Sequence, residues 1–120
     1  MKEIEQTIEN YIQGTYRADL DLLKSTFHPM ANMGGFLGSQ LIVGSPEPFF
    51  QDIGSRTSMV ASEIPYQAHI LSISRSGNIA SAVIIEDHFF GTTSIETHFE
   101  LIFDKGKWQI ISKTFTELKK

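Results

Sequence analysis

Four histidines and the acids near them are the side chains of this chain best suited to proton chemistry. Imidazole changes charge near neutral pH, and a carboxylate beside it can hold one tautomer ready as a general base. Glu86 and His88 stand two apart in a β-rich run, which places both on one strand face and Asp87 on the other. Glu96, Thr97, His98 and Glu100 form a second polar group on the following run, and an antiparallel reversal at 90–94 would bring His98 across from the first. Ordinary cross-strand pairing on a solvent face explains the same residues without chemistry. His28, between Phe27 and Pro29, reads either as an acid, base or donor at a pocket mouth or as a half-buried ring bonded to a nearby carbonyl. His28, His88 and His98 are thus the catalytic candidates. His69, between Ala68 and Ile70, reads as a surface or edge residue. No metal is expected: imidazole and carboxylate are suitable ligands, but the chain has no HExxH or paired-His spacing.

Lys113 interrupts a largely apolar run, with Ile111 and Phe115 on its nominal face and Trp108 and Ile110 on the opposite one. If its face lines a cavity, Lys113 anchors an anionic or carbonyl ligand; a slip of one residue makes it a solvated lysine. Nine phenylalanines fill most of a core, and several can rim an apolar pocket. His28, Phe36, Phe50, Glu86, His88, His98 and Lys113 are the pocket candidates. Gly34-Gly35 with Gly38 lacks the Lys-Ser/Thr of a phosphate loop, and no serine sits in a nucleophile elbow.

The elements that must position these groups follow from periodicity. Ile4, Ile8, Tyr11 and Ile12 predict a helix over 3–13, with Gly14 as its terminator. A second helix is predicted from Asp19, its N-cap, to Ser25, and Pro29 ends that region. Met33 to Phe36 and Gln40 to Val43 predict a small hairpin. Ser45-Pro46-Glu47 starts a third helix that carries Phe49, Phe50 and Ile53 and stops at Gly54, and 55–64 reads as irregular. Strands are predicted over 66–75, 78–90, 94–104 and 107–116, turned at Gly77-Asn78, Gly91 and Gly106 into an antiparallel meander. Val83-Ile84-Ile85 and Leu101-Ile102-Phe103 are apolar on both faces, which predicts cover on both and hence a homodimer through the outer sheet face.

A chain of 120 residues fits one domain, 1–120. Net charge is −4, and the basic residues form no stripe, which argues against a nucleic-acid partner. Cysteine is absent, which excludes disulfides, Cys-ligated zinc and thiol nucleophiles. No apolar run approaches the roughly 20 residues of a membrane span and no signal peptide is visible, so a cytoplasmic protein without membrane contact is expected.

The chain resembles the NTF2-like superfamily, in particular its SnoaL-like and putative lumazine-binding branch. The resemblance rests on Tyr11-Ile12-Gln13-Gly14, Asp19-Leu20-Asp21-Leu22-Leu23, Phe27-His28-Pro29, Ala68 to Ile73, Gly77-Asn78 and Gly106 to Phe115. It implies an α+β cystatin-like cone: three N-terminal helices packed on a strongly curved, mostly antiparallel β-sheet that encloses a pocket, often in a dimer. Members with isomerase chemistry use a tyrosine on the first helix, a place that Tyr11 or Tyr16 would take, and Tyr16 joins the pocket candidates on that ground. Where many relatives of this branch carry an acid, this chain has Thr97, with Glu96 one residue out of phase. The expected function is binding of a small, partly apolar molecule, without a cofactor. The alternatives are a proton-transfer isomerase or dehydratase and a non-catalytic dimeric interaction module.

Overall fold

A computed structural model describes residues 1–118; the last two positions of the expected 1–120 domain lie outside the described residues. Three helices, α1 (Lys2–Arg17), α2 (Leu20–Ser25) and α3 (Glu47–Ser55), pack on one six-stranded sheet. Its strands are β1 (Phe27–Leu37), β2 (Gln40–Gly44), β3 (Gln67–Ser76), β4 (Ile79–Phe89), β5 (Thr93–Asp104) and β6 (Lys107–Leu118).

The periodicity of α1 buries Ile4, Ile8, Tyr11 and Ile12 on one stripe, as a helix packed on a sheet requires. The helix does not stop at Gly14. It runs on to Arg17 and closes at Ala18, which adopts the left-handed conformation (φ 54°). Gly14 serves a different purpose: a Cβ there would lie 2.9 Å from Leu23 Cα, so its absence lets α1 and α2 approach backbone to backbone. Asp19 caps α2 by accepting the Leu22 N–H at 3.2 Å. In front of α3, the Ser45 hydroxyl accepts the Glu47 N–H at 3.3 Å.

Strands β3 to β6 form the antiparallel meander that the glycine turns predict, with Lys105 and Gly106 both at positive φ in the β5–β6 reversal. β1 is longer than the predicted hairpin arm and passes through Pro29. Proline cannot donate to a ladder, and Pro29 falls in the irregular stretch between Phe27 and Asn32 where β1 leaves register with β6. The β1–β6 pairing is parallel, so the sheet is mixed, in the order β2-β1-β6-β5-β4-β3.

The expectation of a strongly curved sheet that encloses a pocket is corrected. β2 and β3 are the two ends of the strand order and do not pair with each other, so the sheet stays open. Helices cover its inner face, where Ala80, Ala82, Ile84, Phe99, Leu101 and Ile110 join the helical core.

Register decides which side chains reach that face. Opposite Glu100 and Leu101 of β5, β6 carries one extra residue, Ile111. Alternation predicted Trp108 and Ile110 on the face opposite Lys113 and Phe115. The bulge resets the phase, so Trp108, Ile110, Lys113 and Phe115 pair with Phe103, Leu101, Phe99 and Thr97 on one face.

Gly35 of β1 lies beside Phe115, and a Cβ there would come within 2.6 Å of the Phe115 ring as well as meeting its carbonyl oxygen. Gly35→Ala is expected to destabilise the fold by about 1–3 kcal/mol through this overpacking. Thermal unfolding checks it, and an unchanged midpoint would contradict the close approach.

Candidate functional site

Between the sheet's inner face and α1 and α3 lies a cavity of about 250 Å³. Its floor is Glu86 and Phe89 of β4, Ile95 and Thr97 of β5, and Lys113 and Phe115 of β6. Met33, Leu37 and Ile42 of the β1–β2 hairpin form one side, Tyr11 the α1 side, and Pro48, Phe49, Asp52 and Arg56 the α3 side. Asp52 and Arg56 pair at 3.2 Å, and the Arg56 guanidinium stacks 4.3 Å from the Phe90 ring centroid.

A buried carboxyl and a buried amine share this space. Glu86 is 2% exposed; its Oε2 accepts the Tyr66 hydroxyl at 2.7 Å and its Oε1 the Thr97 hydroxyl at 3.1 Å. Burial raises the Glu86 pKa above the usual carboxylate value; the Lys113 charge and the two hydroxyls offset only part of that. Lys113 is 5% exposed, with Nζ 3.4 Å from the Phe49 ring centroid, 5.2 Å from Tyr11 and 5.3 Å from Phe115. Burial lowers its pKa to about 8, against the opposing pull of Glu86. Tyr11 and Tyr66 are raised well above 10, first by burial and then by the Glu86 charge. The hydroxyls of Tyr11 and Thr15 are buried and, among the described residues, have no hydrogen-bond partner.

Of the pocket candidates read from the sequence, Glu86 and Lys113 line this cavity; Tyr16, His28, Phe36, Phe50, His88 and His98 are not among its lining residues. Physical reasons separate them. His88 does not share a face with Glu86, because it adopts positive φ (58°) where β4 slips register between Glu86 and Phe89, and Phe89 reaches the cavity instead. His98 pairs with Val83 and Thr114 on the outer face and bonds Glu96 at 2.6 Å, while its neighbour Thr97 points inward.

His28 has both ring nitrogens engaged: Nδ1 accepts the Met30 N–H, so Nε2 carries the proton and donates to Asp104, each at 3.0 Å. Phe36 lies on the outer face, 44% exposed, and Phe50 packs edge-on against Phe27. Tyr16 stacks on Tyr66, behind the group that holds Glu86. His69, on the outer face, lies 3.9 Å from Asp87.

Sequence reasoning missed Tyr66, Thr97 and Phe49 as parts of the site, and Tyr11 entered it only through the resemblance. Thr97, buried at the centre of an apolar alternation in β5, was the available signal. Tyr66 precedes β3 and gave none. Among the described residues, no group of three or more His, Asp or Glu could hold a metal ion. No helix there is long and apolar enough to cross a membrane.

Comparison with known proteins agrees with this architecture. A family model described as "Putative lumazine-binding" matches residues 1–116. No match was found among curated proteins. Among solved structures, an NTF2-like protein of unknown function from Shewanella baltica OS155 is 24% identical, with TM-score 0.86 over 99% of this chain and 94% of that one. Another, from Methylobacillus flagellatus KT, is 20% identical, with TM-score 0.88 over 98% and 91%. A protein described as a putative dehydratase of the NTF2-like family, from Streptomyces avermitilis, is 12% identical, with TM-score 0.70 over 99% and 96%.

The buried amine leaves a signature in stability. Between the folded pKa of Lys113, about 8, and its ordinary 10.5, the unfolded chain binds more protons, so stability rises with pH. The raised tyrosines oppose this only above their ordinary value of 10. Thermal unfolding from pH 8 to 10 should therefore favour the native protein increasingly over its own value at pH 8, and Lys113→Met should lack this rise. Parallel pH profiles for the two proteins would contradict a desolvated Lys113.

Proposed function

The chain belongs to the putative lumazine-binding family of the NTF2-like superfamily, and from that premise we propose that its cavity binds a small, partly apolar molecule. One observation carries this reading: an aromatic-lined space of about 250 Å³ whose floor holds Glu86 and Lys113, both buried. Apolar walls with a few placed polar groups are how small ligands are generally held. Tyr11 adds a buried aromatic wall on the α1 side, with its hydroxyl beside that of Thr15. Native mass spectrometry of protein purified from its own host is expected to show a retained small molecule. Ile42→Trp, at the half-buried rim, should abolish retention without lowering the unfolding midpoint. A native protein that retains nothing and binds no fluorescent apolar probe would contradict the reading.

Glu86 favours a second reading, proton transfer on the bound molecule. A buried carboxyl with a raised pKa, steadied by two hydroxyls in a largely apolar cavity, suits a general acid or base. With a ligand identified, Glu86→Gln should keep binding and lower turnover by about 10²–10⁴-fold. Equal turnover in the two proteins removes this role.

The outer sheet face supports a homodimer. Phe36 and Leu41 pair across β1 and β2 there beside Val43, at 44%, 58% and 72% exposure, and Val83, Ile85 and Ile102 lie half-buried on the same face, beyond Thr114, Thr116, Glu96 and His98. Exposed apolar patches of this kind mark association surfaces. Sedimentation should give a dimer that Val43→Asp with Leu41→Asp dissociates; a monomer at high protein concentration would overturn this.

A further inference from the structure

We propose that Lys113 holds a small aldehyde or ketone covalently as a Schiff base, with Glu86 moving the protons of its formation. The inference rests on the reading of the cavity as a small-molecule site. Buried lysines are ordinarily paired with a carboxylate. Among the described residues, Lys113 forms no ion pair and no hydrogen bond; its Nζ is held by the faces of Phe49, Tyr11 and Phe115. Rings retain an amine without occupying its lone pair once the proton has left. A desolvated lysine in an apolar pocket is the usual form of an amine nucleophile. Its pKa of about 8 leaves a sizeable neutral fraction near neutral pH, far above that of a surface lysine.

Glu86 borders the same space and is close enough for its charge to act on Lys113. The neutral amine attacks the carbonyl carbon, and the displaced C=O pair takes a proton from the Glu86 carboxylic acid. The new ammonium nitrogen returns one proton to the Glu86 carboxylate, giving a carbinolamine. Its hydroxyl then leaves as water with that proton, while the nitrogen lone pair closes the C=N bond. Amine, carbonyl and acid thus become a protonated imine, a carboxylate and water, with no oxidant or metal involved. The product sets an iminium cation near the Glu86 carboxylate, and apolar walls slow its hydrolysis.

Benzaldehyde with cyanoborohydride tests this, read by intact mass and peptide mapping. Benzyl alcohol, which has the shape but no carbonyl, reports cavity binding by saturation-transfer NMR. The expected result is one benzyl group on Lys113, added about tenfold or more faster than on any other lysine. Mapping separates the N-terminal amine, which competes for the same reagent. Lys113→Arg should lose this label, and Glu86→Gln should slow it by more than any loss of benzyl alcohol binding in the same variant. If benzyl alcohol binds but Lys113 labels no faster than the other lysines, the Schiff base is overturned and the binding reading stands. If labelling is fast but unchanged in Glu86→Gln, the proton role of Glu86 is overturned. If neither molecule binds or labels, the cavity reading falls and takes this inference with it.

Discussion

Opposite Glu100 and Leu101, strand β6 takes in one residue more than β5, and Ile111 absorbs the excess. Everything C-terminal to it is turned over relative to simple alternation. Trp108 and Ile110 seal the core before the bulge, and Lys113 and Phe115 face the same side after it. Without the extra residue, the ammonium would stand in solvent and the cavity would lose its cation and a wall. A side-chain period of two makes such a slip all-or-none.

Turning Lys113 inward sets an energetic problem that the surrounding residues answer. Taking a carboxylate and an ammonium out of water costs several kcal/mol per ion unless partners compensate. Tyr66 and Thr97 supply hydrogen bonds to Glu86, and three rings surround the ammonium. Compensation is incomplete, because burial still dominates both shifts and pushes each group toward its neutral form. Burial thus makes the carboxyl hold its proton more tightly and the amine hold its proton less tightly than in water, which brings the two closer in proton affinity and poises the site to exchange protons with a guest. Other parts serve this geometry: Gly14 lets α2 close on α1, Gly35 gives Phe115 room against β1, and Tyr16 backs Tyr66.

Local patterning carried most of the fold. The stripe Ile4, Ile8, Tyr11, Ile12, the Asp19 cap and the glycine turns each act within a few residues, so the three helices and the meander were legible. Three features depend on distant contacts and were not: the parallel β1–β6 pairing, the openness of the sheet and the bulge at Ile111. The same limit governed the site. Glu86 and Lys113 stand out as polar residues in apolar strands. His88 and His98 looked equally suitable, but positive φ removes the first from alternation and strand phase sends the second outward. Tyr66 lies 20 residues from Glu86 in sequence and meets it only in the folded chain.

The account turns on an amine and a carboxyl buried together beneath α1 and α3. The most direct measurement is an NMR titration of the ligand-free protein labelled at lysine Cε. It should show one lysine titrating near pH 8, well below the ordinary lysine value of about 10.4, and that signal should be absent from Lys113→Met. If every lysine titrates near that ordinary value, Lys113 is solvated and the proposed site does not exist.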